Sequence, residues 1–182
     1  MQGRTPLSIA AGNGLVEVVL KLLRHSRIQP DIADFHQWTP LFWSTSGNHL
    51  DVLQLLIIDG RLSINHINKS GRNILSWASS ASELELVRYL LSLEHLKADE
   101  PDGHNRTTLS WSAGNGHLET TMIIRRSQRI HTSIKDGNGR NALSWAYGGG
   151  HYQVVEYLIK HDPKGIDKGG RGRLDTVGIG TL

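Results

Sequence analysis

Aliphatic residues fall on a fixed grid along this chain. Leu7, Leu41, Leu75, Leu109 and Leu143 are each separated from the next by 34 residues, and a period of that length marks a repeated supersecondary unit. Eleven and twelve residues after each leucine stand Val18 and Val19, Val52 and Leu53, Leu86 and Val87, Thr120 and Thr121, and Val154 and Val155. Fifteen and sixteen after stand Leu22 and Leu23, Leu56 and Ile57, Leu90 and Leu91, Ile124 and Arg125, and Leu158 and Ile159. These intervals put four positions of each copy on one stripe of a helix. A column of small residues, Ala10, Ser44, Ala78, Ser112 and Ala146, follows the leucines by three, which lets neighbouring helices approach closely. Each copy thus predicts a turn, a short helix, a Gly/Asn break, a second amphipathic helix and a polar return. Pro6 and Pro40 suit the first turn of the short helix, where a missing N–H costs nothing. Thr5, Thr39, Thr107, Asn73 and Asn141 stand where a side chain caps it.

The wording repeats with the period: "GRTPLSIAAGNG", "QWTPLFWSTSGN", "GRNILSWASSAS", "NRTTLSWSAGNG" and "GRNALSWAYGGG". Periodicity alone predicts an all-helical repeat array. The phrases themselves resemble the ankyrin repeat, D-x-x-G-x-T-P-L-H-x-A-A-x-x-G-H followed by a Val/Leu-rich helix, over residues 1 to about 166. That resemblance implies an all-α solenoid of helix-turn-helix units with β-hairpin or loop tips. The expected copies are 1–33, 34–67, 68–101, 102–135 and 136–166, with a partial sixth phrase and flexible tail over 167–182. The wording is also similar to ankyrin tails of large fungal receptor-like proteins, which implies a piece of a larger chain or assembly and a cytoplasmic or nuclear setting.

Departures from the family phrase carry expectations of their own. Its histidine after the anchor leucine is replaced by Ser8, Ser76, Ser110 and Ser144, and by Phe42 in the second copy. The next position holds Trp43, Trp77, Trp111 and Trp145, which predicts a ladder of indoles packed between repeats. In the fourth copy Thr120, Thr121 and Arg125 stand where the others have aliphatic groups, so its second helix is expected to fray or shift register rather than bury a lone charge.

Composition narrows the chemistry. The 182 residues include no cysteine, which removes disulfides, thiolate nucleophiles and Cys-based zinc sites. The longest apolar run, "VLQLLII", is far shorter than the roughly 20 residues of a membrane helix, and no signal-peptide pattern opens the chain. Gly148, Gly149 and Gly150 before His151 align with the inter-helix turns of the other copies, and no preceding strand or Lys-Ser/Thr pair makes them a phosphate loop. The histidines lack metal-ligand spacing, and His49, His117 and His151 share one phase of the repeat, a structural position in the resembled family. The recurring serines have no base to activate one of them. Glu17, Asp51, Glu85 and Glu119 recur where they complement a helix N-terminus. Neither catalysis nor a cofactor or metal is expected. The net charge of +3 is spread over interspersed signs. Two basic stretches, 125–135 and 160–173, supply the alternative reading of a nucleic-acid or acidic-partner patch.

The resemblance implies a protein-interaction module whose recognition residues lie at the tips and at the end of each first helix. On this chain those are Phe35, His36, Trp38 and Ser46; Lys69, Ser70, Arg72 and Ser80; His104, Arg106 and Asn115; and Asn138 and Arg140. Trp38, Arg72, Arg106 and Arg140 share one phase, and Arg4 extends the row. This edge suggests an acidic partner segment with an apolar anchor; the arginines equally suit bracing of neighbouring tips by hydrogen bonds.

Overall fold

The computed structural model describes residues 3–161; the expected sixth phrase and tail at 167–182 lie outside them. Among the described residues the ordered elements are helices: α1 Pro6–Gly12, α2 Val16–Leu23, α3 Pro40–Ser46, α4 Leu50–Asp59, α5 Ile74–Ala81, α6 Leu84–Ser92, α7 Thr108–Gly114, α8 Leu118–Arg126, α9 Ala142–Gly148 and α10 Tyr152–His161. Odd-numbered helices are the short first helices and pack in series, α1 on α3, α3 on α5, α5 on α7 and α7 on α9. Second helices pack on one another likewise, α2 on α4, α6 on α8 and α8 on α10. Residues of one phase are therefore brought side by side along the array, and any feature of the phrase becomes a row.

The grid of apolar positions forms the core. Leu7, Leu41, Leu75 and Leu109 are buried, as is every member of the small column, and Val19, Val52, Leu53, Leu56, Leu86, Val87, Leu90, Ile124, Val154 and Leu158 complete it. Leu143 in the last copy is half-buried.

Caps follow the phrase with one exception. The side chains of Thr5, Asn73, Thr107 and Asn141 accept the N–H of Ser8, Ser76, Ser110 and Ser144. The column serines turn back onto the same caps: Ser8 Oγ lies 3.1 Å from Thr5 Oγ1, Ser110 Oγ 3.1 Å from Thr107 Oγ1, and Ser144 Oγ donates to Asn141 Oδ1 at 3.0 Å. Thr39, expected to cap α3, makes no such bond, and its buried hydroxyl has no partner. In that copy the serine is Phe42, which is fully buried and offers no hydroxyl to return the contact.

The fourth copy also differs from expectation. Helix α8 is continuous with Thr120 and Thr121 fully buried. Thr121 Oγ1 bonds to His117 O at 2.8 Å and to Ser112 Oγ at 3.1 Å, and Thr120 Oγ1 lies 3.3 Å from Ser82 Oγ. Threonine has the shape of valine, and the hydroxyls find partners at the N-cap carbonyl, the small column and the preceding copy's inter-helix turn, so register holds. Arg125 stays half-exposed and donates to His161 O.

Two rows of left-handed backbone set the turns. Gly3, Gln37, Gly71, Asn105 and Gly139 have φ between 60° and 75° at the tips, and Gly14, Asn48, Ser82, Gly116 and Gly150 have φ between 57° and 76° between the two helices of each copy. At Gly116 the need for glycine is steric as well, since a Cβ there would stand 2.5 Å from His151 Nδ1. The triple glycine thus belongs to an inter-helix turn: Gly148 ends α9, Gly149 caps it and Gly150 reverses the chain.

Candidate functional site

Each tip is a turn closed on a single acidic or amide side chain. Asp34 Oδ1 accepts the N–H of His36 at 2.8 Å and of Trp38 at 3.0 Å; Asp102 Oδ1 does the same for His104 and Arg106, and Asp136 Oδ1 for Asn138 and Arg140. Backbone bonds Asp34 N–H to Trp38 O and Gln37 N–H to Asp34 O close the first of these turns. One further backbone bond joins each tip to the next: Lys69 N–H to His36 O, Gly103 N–H to Ser70 O and Gly137 N–H to His104 O, each 3.1 Å. The tips take the loop form of the expectation, with no strand among the described residues.

The second oxygen of each carboxylate reaches into the first helix. Asp34 Oδ2 accepts Trp43 Nε1–H at 3.1 Å, Asp102 Oδ2 accepts Trp111 Nε1–H at 3.1 Å and Asp136 Oδ2 accepts Trp145 Nε1–H at 3.0 Å. Trp43, Trp77, Trp111 and Trp145 are half-buried, and Trp77 packs against the core. They do form a ladder, but its rungs alternate with guanidiniums. Arg4 lies 3.5 Å from the Trp43 ring centroid; Arg72 lies 4.8 Å from Trp77 and 3.8 Å from Trp111; Arg106 lies 3.6 Å from Trp111 and 3.7 Å from Trp145; Arg140 lies 3.8 Å from Trp145. A cation over an indole face is attracted by the ring quadrupole, the more so when both are desolvated.

At the second copy the alternation breaks. Trp38 takes the arginine position and stacks 4.8 Å from Trp43 and 4.7 Å, edge-on, from Trp77. It also packs at 5.7 Å on Phe42, which the same copy carries in place of serine. A recess of about 420 Å³ opens here, lined by His36, Trp38, Trp43, Asn68, Lys69, Ser70 and Trp77. A second recess of about 520 Å³ lies between the last two tips, walled by His104, Arg106, Trp111, Asn138, Arg140 and Trp145 among others.

The expected contact residues divide into two groups. Phe35, His36, Lys69, Ser70, His104, Asn138 and Arg140 are exposed at the tips, Trp38 and Arg106 are half-buried beside them, and Ser46 and Asn115 are exposed at the ends of first helices. Phe35 is 71% accessible. Arg72 is different: only 8% accessible, it donates to Ser76 O at 2.6 Å and to Ser80 Oγ at 2.7 Å. Burial pushes its pKa down to about 10, with Asp102 opposing the shift, so it remains charged at neutral pH. Arg72 is thus a brace between indoles, and Ser80 is its acceptor. Burial likewise lowers the pKa of Arg106, against the pull of Asp102 and Asp136.

The basic stretch 125–135 is largely engaged within the array. Arg129 donates to the carbonyls of Leu91, Leu93, Glu94 and Leu96, gathering carbonyls from the last turn of α6 and the loop after it. Arg61, one phase equivalent, donates to Leu23 O at the end of α2 and to Asp59. His131 pairs with Asp99. Beyond 161 the second basic stretch lies outside the described residues. His117 and His151 bond through Nε2 to Ser80 O and Gly114 O at 3.0 Å, tying one inter-helix turn to the preceding copy. Among the described residues no group of three His, Cys, Asp or Glu side chains is placed to hold a metal ion, and no helix is long and apolar enough to cross a membrane. The Arg–Trp alternation, the Asp-to-indole bonds and the role of Arg129 were missed by sequence reasoning; the recurring Asp34, Asp102 and Asp136 at one phase were the available signal.

Comparison with known families agrees with this architecture. A model of ankyrin repeats in three copies matches residues 1–66 and 29–100, and a single ankyrin repeat model matches residues 138–168. The chain belongs to the ankyrin repeat family. Proteins of this family are in general protein–protein interaction modules and typically non-catalytic scaffolds.

Proposed function

We propose that this chain binds a protein partner along the edge formed by its tips and the ends of its first helices. The observation that carries the reading is the break at Trp38, where an otherwise regular Arg–Trp ladder opens into an indole-lined recess beside the exposed Phe35, His36 and Lys69. Large aromatic surface next to donors and a cation is the composition of interface hot spots. Phe35, His36, Trp38, Ser46, Lys69 and Ser70 form the central contact set. His104, Arg106, Asn115, Asn138 and Arg140 extend it, and Arg72, bonded to Ser80, braces the edge between Trp77 and Trp111. The partner segment is acidic with an apolar anchor. The nucleic-acid reading loses its main support in Arg125 and Arg129, whose guanidiniums bind main-chain carbonyls.

Capture of a partner from extract by the wild-type chain and by Phe35→Ala, Lys69→Glu and Arg88→Glu variants tests this. The first two are expected to lose capture and the third, on second helix α6, to keep it. Equal capture by all three, or loss only with Arg88→Glu, refutes the edge as the contact.

A further inference from the structure

The third tip lacks a group that the others have. In the second, fourth and fifth copies one carboxylate both closes the tip and accepts the indole N–H of its own tryptophan. In the third copy the residue is Asn68. Its Oδ1 closes the turn in the same way, accepting Ser70 N–H at 2.9 Å and Arg72 N–H at 3.0 Å. The remaining side-chain atom is then Nδ2, a donor, where the other copies have an acceptor. Among the described residues no side-chain acceptor is bonded to Trp77 Nε1–H, where the second, fourth and fifth copies place a carboxylate oxygen on the indole. Asn68 and Trp77 line the recess together with Trp38, and so does the exposed Lys69. The carboxylate of the preceding tip, Asp34, is already taken by His36 N–H, Trp38 N–H and the Trp43 indole. Donors and a cationic side chain therefore line a recess shared by three tryptophans.

We propose that the Trp38–Trp43–Trp77 recess binds an Asp or Glu carboxylate adjoining an apolar side chain of the partner, the carboxylate accepting from Trp77 Nε1, Asn68 Nδ2 and Lys69 Nζ. It thereby supplies in trans the acceptor that Asp34, Asp102 and Asp136 supply in cis. The apolar neighbour lies against the indole walls, where burial of aromatic or aliphatic area adds to the charge-assisted bonds. This inference rests on the tip edge being the partner surface, and it deepens that reading by naming what the recess takes.

The test uses the full chain with ¹⁵N-labelled tryptophan and two small probes: N-acetylphenylalanine, which carries a ring and a carboxylate, and its uncharged amide. The Trp77 indole N–H resonance is expected to move with the acid and to stay with the amide. Asn68→Asp, which restores the acceptor found in the other copies and so leaves the fold intact, is expected to weaken binding of the acid by about tenfold or more. Lys69→Gln weakens it less. Inorganic phosphate is expected to move the resonance far less than the acid. Equal shifts with acid and amide, an unchanged affinity in Asn68→Asp, or phosphate matching the acid each overturn the proposal. Its failure is distinguishable from that of the wider reading. If Phe35→Ala abolishes partner capture while the acid leaves Trp77 unmoved, the edge stands and the carboxylate assignment falls. If the acid binds as described while capture survives Asn68→Asp, the partner does not use this recess and the assignment to it falls.

Discussion

The guanidinium of Arg72 stands 3.8 Å from the ring centroid of Trp111, which belongs to the following copy, while its Nη2 bonds to Ser76 O in its own. One side chain thus couples two repeats through a ring face and a main-chain carbonyl at once. Arg72→Met keeps much of the apolar contact but removes the charge and both hydrogen bonds. We expect it to lower unfolding free energy by about 1–3 kcal/mol, and Arg72→Ala, which also removes the packed stem, to cost more. Urea denaturation followed by tryptophan fluorescence measures both; a change within 0.5 kcal/mol, roughly the range of neutral surface substitutions, would show the ladder to be decorative.

Thr39 and Thr107 occupy one phase and differ in their bonds. Thr107 caps α7 through Ser110 N–H, whereas the Thr39 hydroxyl is buried without a partner. Thr107→Val is expected to destabilise by about 1 kcal/mol, and Thr39→Val to be neutral or stabilising, because it removes an unsatisfied polar atom at constant shape. Equal losses at the two positions in thermal unfolding would contradict the assigned bonds.

Arg129 gathers four carbonyls from the last turn of α6 and the loop after it. Replacing it with alanine removes all four of these bonds, and a loss of about 1–3 kcal/mol is expected. Hydrogen exchange should rise first in the segment 91–97 and in α8. A global rise without that local excess would argue that Arg129 acts elsewhere.

Asp136 gives the array an acid-sensitive point. Burial would raise its pKa, but the N–H groups of Arg140 and Asn138 and the Arg140 guanidinium together hold it below the ordinary aspartate value. A carboxyl whose folded pKa lies below the unfolded one, about 3.9, stabilises above that value, and the contribution disappears as pH falls through the folded pKa. Stability of the wild-type chain should therefore decline on acidification below about pH 4, and Asp136→Asn should show a shallower decline. Asparagine at 68 already closes a tip, so the variant keeps the turn. Parallel pH profiles would remove Asp136 from the account.

The sequence made the array legible because the period acts through each residue's own copy: the leucine grid, the small column and the caps require only local geometry. Cross-copy contacts were hidden. Arg72 and Trp111 stand at different phases, and only stacking of one unit on the next brings them together, so the spacing pointed to indoles packed between repeats but not to the cations that lie over them. The fourth copy was misjudged for the opposite reason. Thr120 and Thr121 were weighed by hydrophobicity alone, while the acceptors that satisfy Thr121, His117 O and Ser112 Oγ, come from the neighbouring turn and helix. The expected contact residues were mostly found at the surface, but nothing in the letters separated Arg72, sealed between rings, from Arg140, open to solvent.

Consecutive tips are joined by the same main-chain bond at each step, Lys69 to His36, Gly103 to Ser70 and Gly137 to His104. A main-chain bond does not depend on which side chain a tip carries, so exposed residues such as Phe35, Lys69 and Asn138 can change while that link persists. The edge behaves as a ruler with interchangeable markings: a ligand long enough to engage two recesses must match its graduation, and selectivity between ligands evolves without recalibrating the scale.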